Sequence, residues 1–211
     1  MTKTGKPSAE RRRVGSRDMD ATPFTAILTE LVRRIPGGRG AVLVDDLGET
    51  VDYFGYTEPF DLKVAAAHWQ IVLCEIAPLV VVRTQQLIIR STKGSYIVRR
   101  LPENYALVIL LSRRAGFAST TRALEACTTA LAREASWPLQ KGHRWVFVDV
   151  TVDPRRRPHR IALRDKQQSL EVLGTLMGLG PRERGFRVRL ETGAELNLVR
   201  EPGNRWYADE N

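Results

Sequence analysis

The sequence predicts an α+β protein, and three observations carry that reading. Apolar residues fall at helical spacing near 22–35, 59–81 and 119–135. Between these segments, short apolar or alternating runs bounded by Asp, Gly, Asn and Pro read as strands, in the order helix, two strands, helix, three strands, helix. Beyond Pro138 and Gly142, residues 143–211 are mostly short alternating runs and read as a small β-rich α+β module. With 211 residues, 43% hydrophobic and 27% charged, the chain can bury a sizeable core.

Thr22 is a suitable N-cap for the first helix, and Pro23 stands at its first position. Phe24, Ile27, Leu28, Leu31, Val32 and Ile35 then share one face, and Pro36-Gly37-Gly38 ends the helix. A strand at 41–44, a turn at Asp45-Asp46-Leu47-Gly48 and a strand at 51–55 form a hairpin. The second helix, 59–81, carries Leu62, Ala65, Ala66, Trp69, Val72, Leu73, Ile76 and Val80 as one stripe. Val64, Ala67, His68, Ile71 and Cys74 lie on its other faces and are also mostly apolar. A helix apolar nearly all round must be covered on two sides, one by a sheet and the other by a partner. Strands at 86–91 and 95–101 are joined at Lys93-Gly94. The unbroken apolar run Tyr105–Leu111 then reads as a central strand. A last helix, 119–135, presents Thr121, Leu124, Cys127 and Leu131 on one face.

This order, together with the segment Ile35-Pro36-Gly37-Gly38-Arg39-Gly40-Ala41-Val42-Leu43-Val44-Asp45-Asp46-Leu47-Gly48, resembles the roadblock / dynein light chain family. Leu87-Ile88-Ile89, Gly94-Ser95-Tyr96-Ile97-Val98 and the stretch from Leu101 to Leu111 match later pieces. The resemblance spans about residues 22–137. Two features depart from it: the hairpin turn is a residue longer, and the long helix lacks the glycine pair common near its end. The resemblance implies a profilin-like α-β-β-α-β-β-β-α domain with a five-stranded antiparallel sheet. It also implies homo- or heterodimerisation through the long helix and an edge strand, and binding of Ras-like small GTPases as a scaffold or activator component.

Three units are expected: a disordered basic arm at 1–20, the roadblock-like domain at 21–137, and the small module at 143–211. In the module, strands are expected at 145–152, 159–163, 186–190, 196–199 and 206–207. A short amphipathic helix over about 167–179 would carry Leu170, Leu173, Leu176 and Met177. This last unit matches no recognised family.

The net charge is +9, with the excess at the two ends of the chain. Such an excess favours acidic partners without bearing on fold. No apolar run is long enough for a transmembrane helix, and the N-terminal stretch is no secretory signal. Two cysteines exclude a disulfide scaffold and fit a reducing cytoplasm. Three histidines and two cysteines, far apart, leave no soft-ligand metal site, and no cofactor is expected.

The candidate partner or dimer interface is the face of the long helix not needed by the sheet: Val64, Ala67, His68, Ile71 and Glu75. The candidate basic patch is Arg155, Arg156, Arg157 and Arg160, with Arg187 and Arg189, the last two beside Arg182 and Arg184. Arg156 and Arg160 have a spacing that resembles the PilZ nucleotide loop, but the second element of that motif is absent. Gly37-Gly38-Arg39-Gly40 follows a helix and lacks the Lys and Ser/Thr of a phosphate loop, so it reads as a turn. Arg39 reads as a solvated turn residue rather than an arginine finger. Asp45, Asp46, Glu49 and Asp52 read as a solvated hairpin tip. Cys74 and Cys127 read as small apolar fillers. An enzyme would have to draw on His68, Asp149 or Asp153, and no catalytic motif surrounds them. The expected function is therefore a non-enzymatic adaptor that dimerises and binds a Ras-like small GTPase. The alternative is a nucleic-acid binder using the arm and the arginine cluster, with Trp145, Trp206 and Tyr207 for stacking unless they are core.

Overall fold

The computed structural model describes residues 17–76, 84–117, 121–139, 145–163 and 166–209. Helix α1 (Pro23–Arg34) starts where its cap dictates. The Thr22 side chain accepts the Phe24 N–H at 3.2 Å, and the Thr22 N–H donates to Thr25 Oγ1 at 2.9 Å. Strands β1 (Gly38–Val44) and β2 (Thr50–Gly55) form the expected hairpin. Helix α2 (Pro59–Ile76) follows. Its expected extension through Val80 and Val81 lies outside the described residues. Strands β3 (Gln86–Arg90), β4 (Ser95–Arg100) and β5 (Ala106–Leu111) and helix α3 (Thr121–Glu134) complete the expected order.

The five strands form an antiparallel sheet in the order β2-β1-β5-β4-β3, with β5 in the interior as its unbroken apolar run requires. Alternation along β1 splits the sheet's two faces. Ala41 and Leu43 join Leu28, Leu31, Leu124 and Leu131 under α1 and α3. Val42 and Val44 meet Leu62, Ala66 and Leu73 under α2. Gly40 and Gly55 sit opposite one another across β1 and β2. A Cβ on either would come within 2.9 Å or 2.8 Å of the Leu62 side chain. The paired glycines are the notch into which α2 settles.

Residues 145–209 form a closed barrel: β6 (Trp145–Val152), β7 (Pro158–Leu163), β8 (Lys166–Leu176), β9 (Arg184–Leu190), β10 (Glu195–Glu201) and β11 (Arg205–Asp209), with β11 pairing back to β6. Its interior holds Val148, Ile161, Val188, Leu198 and Trp206. The helix expected over 167–179 is instead the long strand β8, so the module has six strands there and no helix among the described residues. The cause is a β-bulge between Val172 and Gly174. It breaks the two-residue alternation, so Leu170, Leu173 and Leu176 recur every third residue and imitate a helical stripe.

The barrel is not a detached appendage. Trp145, Phe147 and Tyr207 point outward from its wall and pack into the cluster under α1 and α3. Arg34 reaches over from α1 to donate to the carbonyls of Trp206 (2.8 Å) and Val148 (3.2 Å), with its guanidinium 5.0 Å from the Phe147 ring centre. Arg205 returns a bond to the Arg34 carbonyl. From α3, Arg122 bridges Glu183 (2.7 Å) and Glu201 (2.9 Å).

Candidate functional site

Helix α3 lies against β6 of the barrel and α1 meets the barrel through Arg34, whereas the outer face of α2 is bare of any contact among the described residues. Val64 and Ile71 are each 51% exposed, and Phe60, one turn before Val64, is 73% exposed. His68 and Glu75 are exposed on the same side, and Cys74 is exposed as well, so it is not the buried filler expected. Ala67 is half-buried instead, because the β1–β2 turn lies against it: a Cβ on Gly48 would be 3.5 Å from the Ala67 backbone. Leu47 on that turn is exposed.

Polar contacts with β4 and with the β4–β5 connection fix the pose of α2. The Gln70 amide donates to the Asn104 carbonyl at 2.8 Å. The Arg100 guanidinium donates to the Leu73 carbonyl at 3.0 Å, which satisfies an acceptor near the helix C-terminus. Trp69 packs beneath, its ring centre 5.3 Å from that of Tyr96.

The sheet's two edges differ. Among the described residues β3 pairs only with β4, so its outer backbone groups are unpaired by any strand. Ile88 on this strand is 53% exposed. It lies opposite Ile97 and therefore on the sheet face away from α2. The β2 edge, in contrast, is tied to residues 17–20, a stretch expected to belong to the disordered arm. Arg17 donates to the Tyr53 carbonyl, and Tyr53 Oη donates to Asp18 at 2.7 Å.

Asp52 is the centre of that attachment rather than part of a solvated tip. It is fully buried, accepts from the Thr22 and Thr25 hydroxyls, and pairs with Arg17. Burial alone would raise its pKa, but the two hydroxyls and Arg17 outweigh it and hold the carboxyl below the usual range. Asp45 does act at the tip, accepting the N–H groups of Leu47 and Glu49 at 3.0 and 2.8 Å. Arg39 is solvated as expected, but it lies on β1 and not in a turn: the strand begins at Gly38, where pairing with β5 already starts, so only Pro36-Gly37 of the expected turn remains.

The basic patch divides. Arg155, Arg156 and Arg157 occupy the β6–β7 turn, exposed, with Arg160 exposed on β7. Arg187 and Arg189 lie on β9, where Glu195 holds both at 2.7 and 2.9 Å and Glu171 also approaches Arg189. Those two are neutralised, so the six arginines are not one open cationic face. Trp206 and Tyr207 are buried at 1% and 0%. They are core residues and offer no stacking platform, and Trp145 lies under Arg122. Among the described residues no group of His, Cys, Asp and Glu is arranged to hold a metal. No helix among them is long and apolar enough to cross a membrane. Burial pushes the Cys127 thiol well up. Asp149 lies 3.4 Å from Arg34, and the Asp153 carboxylate accepts the Arg157 N–H at 2.8 Å.

No family model and no curated protein matches the chain. Solved structures do. MglB of Myxococcus xanthus aligns with a TM-score of 0.50 at 15% identity, over 56% of this chain and 98% of its own. A Roadblock/LC7 domain from Streptomyces avermitilis aligns with a TM-score of 0.47 at 18% identity, over 53% and 96%. The gliding protein mglB of Thermus thermophilus gives 0.47 at 22% identity, over 58% and 97%. The likeness is one of fold. It extends over about the share of the chain that α1 to α3 occupy, and that part has the roadblock fold.

Proposed function

We propose that the protein is a non-catalytic regulator that self-associates through α2 and the β3 edge and engages a Ras-like small GTPase through the helical face so formed. The observation that carries the proposal is the coincidence of an exposed apolar stripe, Phe60, Val64 and Ile71, with an edge strand that pairs on one side only. Isolated exposed apolar side chains are ordinary, but three along one helix face mark a contact surface. An edge strand is a ready template for a second chain. The family resemblance read from the sequence supplies the partner class, and the roadblock fold agrees with it. Among the expected interface residues, Val64, His68, Ile71 and Glu75 belong to this surface, and Ala67 borders it under the β1–β2 turn.

The experiment is a mass measurement by light scattering on the protein and on Ile71→Arg, followed by capture of GDP- and GTP-loaded small GTPases at low and high salt. An unpaired guanidinium in an apolar seam costs several kcal/mol, so Ile71→Arg is expected to be monomeric and to lose GTPase capture. A monomeric wild-type protein, or a variant that keeps mass and capture, overturns the assignment.

A further inference from the structure

A closed antiparallel meander returns every second turn to the same end of the barrel. The β6–β7, β8–β9 and β10–β11 turns therefore share one end. The first carries Arg155, Arg156 and Arg157, and the second carries Met177, with Arg182 and Arg184 beside it. Met177 is 90% exposed, the most exposed of the large apolar side chains among the described residues. The neighbouring Gly178 has a φ of 76°, and a side chain there would meet nothing within 4 Å, so the tip stands clear of the barrel.

The carboxylates of these turns are all engaged. Asp153 is folded onto its own turn, accepting the Arg157 N–H at 2.8 Å. Glu183 turns back to Arg122 at 2.7 Å, and Glu201 is buried on the same guanidinium at 2.9 Å. Among the described residues none of the five arginines has a carboxylate within ion-pair distance. This end of the barrel thus carries one fully presented apolar side chain and five arginines, on a chain of net charge +9.

We propose that this end docks on an anionic phospholipid surface, with Met177 entering the boundary between headgroups and acyl chains and the arginines set against lipid phosphates. The chemistry matches that of interfacial anchors, which combine a small buried apolar area with cations at headgroup level. A single-stranded nucleic acid would instead require exposed aromatic faces, and none of the barrel's five aromatics, Trp145, Phe147, Phe186, Trp206 and Tyr207, is exposed. The surface is separate from α2 and does not depend on the GTPase reading.

The test is co-sedimentation of the full chain with vesicles of phosphatidylcholine alone and of phosphatidylcholine mixed with phosphatidylserine, at low and high salt, with a labelled oligonucleotide in parallel. Two variants are compared. One is Met177→Ser. The other combines Arg155→Ala, Arg156→Gly and Arg157→Ala, with glycine at the middle position because Arg156 has a φ of 61°. Both substitute exposed positions, and an unchanged thermal transition checks their fold. Binding is expected only to the phosphatidylserine vesicles, weakened by salt. It should fall about 100-fold in the triple variant and about tenfold in Met177→Ser. Absence of vesicle binding overturns the proposal, and so does oligonucleotide binding without it. Binding that survives both variants also overturns it, since the basic N-terminal residues would then carry the contact.

Discussion

The Arg34 guanidinium donates to the Trp206 carbonyl at 2.8 Å across 172 residues of chain, joining the first helix to the last strand. The Val148 carbonyl and the Phe147 and Tyr207 rings surround the same group. Arg34→Ala should lower stability by about 2–4 kcal/mol, because two buried carbonyls lose their donor and a stacked cation is removed. Denaturant unfolding should show one transition in the wild-type protein and two in the variant. A single transition with unchanged midpoint would show that the barrel does not depend on this contact.

Asp52 predicts the acid limb of stability. Its folded-state pKa lies below the value of 3.8 expected of a free side chain. The folded state therefore favours the ionised form, and the stabilisation is complete above the unfolded pKa and lost as pH falls through the folded one. Asp52→Ala should cost about 2–4 kcal/mol at neutral pH, with the gap to wild type closing below about pH 4. Glu201 works in the opposite sense. Burial raises its pKa, so its protonated form is the one the fold favours, and its contribution weakens as pH rises through the folded value. Unfolding curves taken from about pH 3 to 8 on Asp52→Ala and Glu201→Gln separate the two.

Gly40→Ala should crowd Leu62, whose side chain lies 2.9 Å from where the new Cβ would stand. Overpacking of this kind costs about 1–3 kcal/mol. Leu62→Ala alone should also destabilise, by opening a cavity. The double variant should be better than the sum of the singles, and a double-mutant cycle measures the coupling. Strict additivity would mean that the glycine pair does not seat α2.

Thiol labelling distinguishes the two cysteines. Cys74 is exposed on α2, whereas Cys127 is buried with its thiol pushed up. One equivalent of a thiol reagent should react with the native protein, and the second only on unfolding. If α2 is a self-association surface, Cys74 labelling slows as protein concentration rises. A rate independent of concentration counts against that surface.

The order of elements and all three helices from Pro23 to Glu134 are legible in the sequence because each element declares itself locally. The Thr22 cap, the Lys93-Gly94 turn and the run before Leu111 each need only their neighbours. The outward side of α2 is legible too, since a helix apolar on two sides has one side to spare. What the sequence hides depends on distant partners. Nothing near Asp52 reveals that Arg17, Thr22 and Thr25 converge on it, so its charge looks solvated. Gly48 over Ala67 is likewise a contact between a turn and a helix that spacing does not disclose. Strand β8 reads as a helix because one bulge converts its period. Closure of the barrel rests on β11 finding β6, a pairing of two strands that each look like any edge.

The Arg34–Trp206 contact also sets an order of events during synthesis. At about 5–20 residues per second, the ribosome reaches Trp206 roughly 10–35 s after Arg34. Until that interval ends β6 stands against α3 without its β11 neighbour, and the guanidinium lacks the Trp206 carbonyl. The nascent chain thus carries a temporary sticky surface that the finished protein lacks, and it is the emergence of Tyr207, the outward-facing residue of the last strand, that retires it.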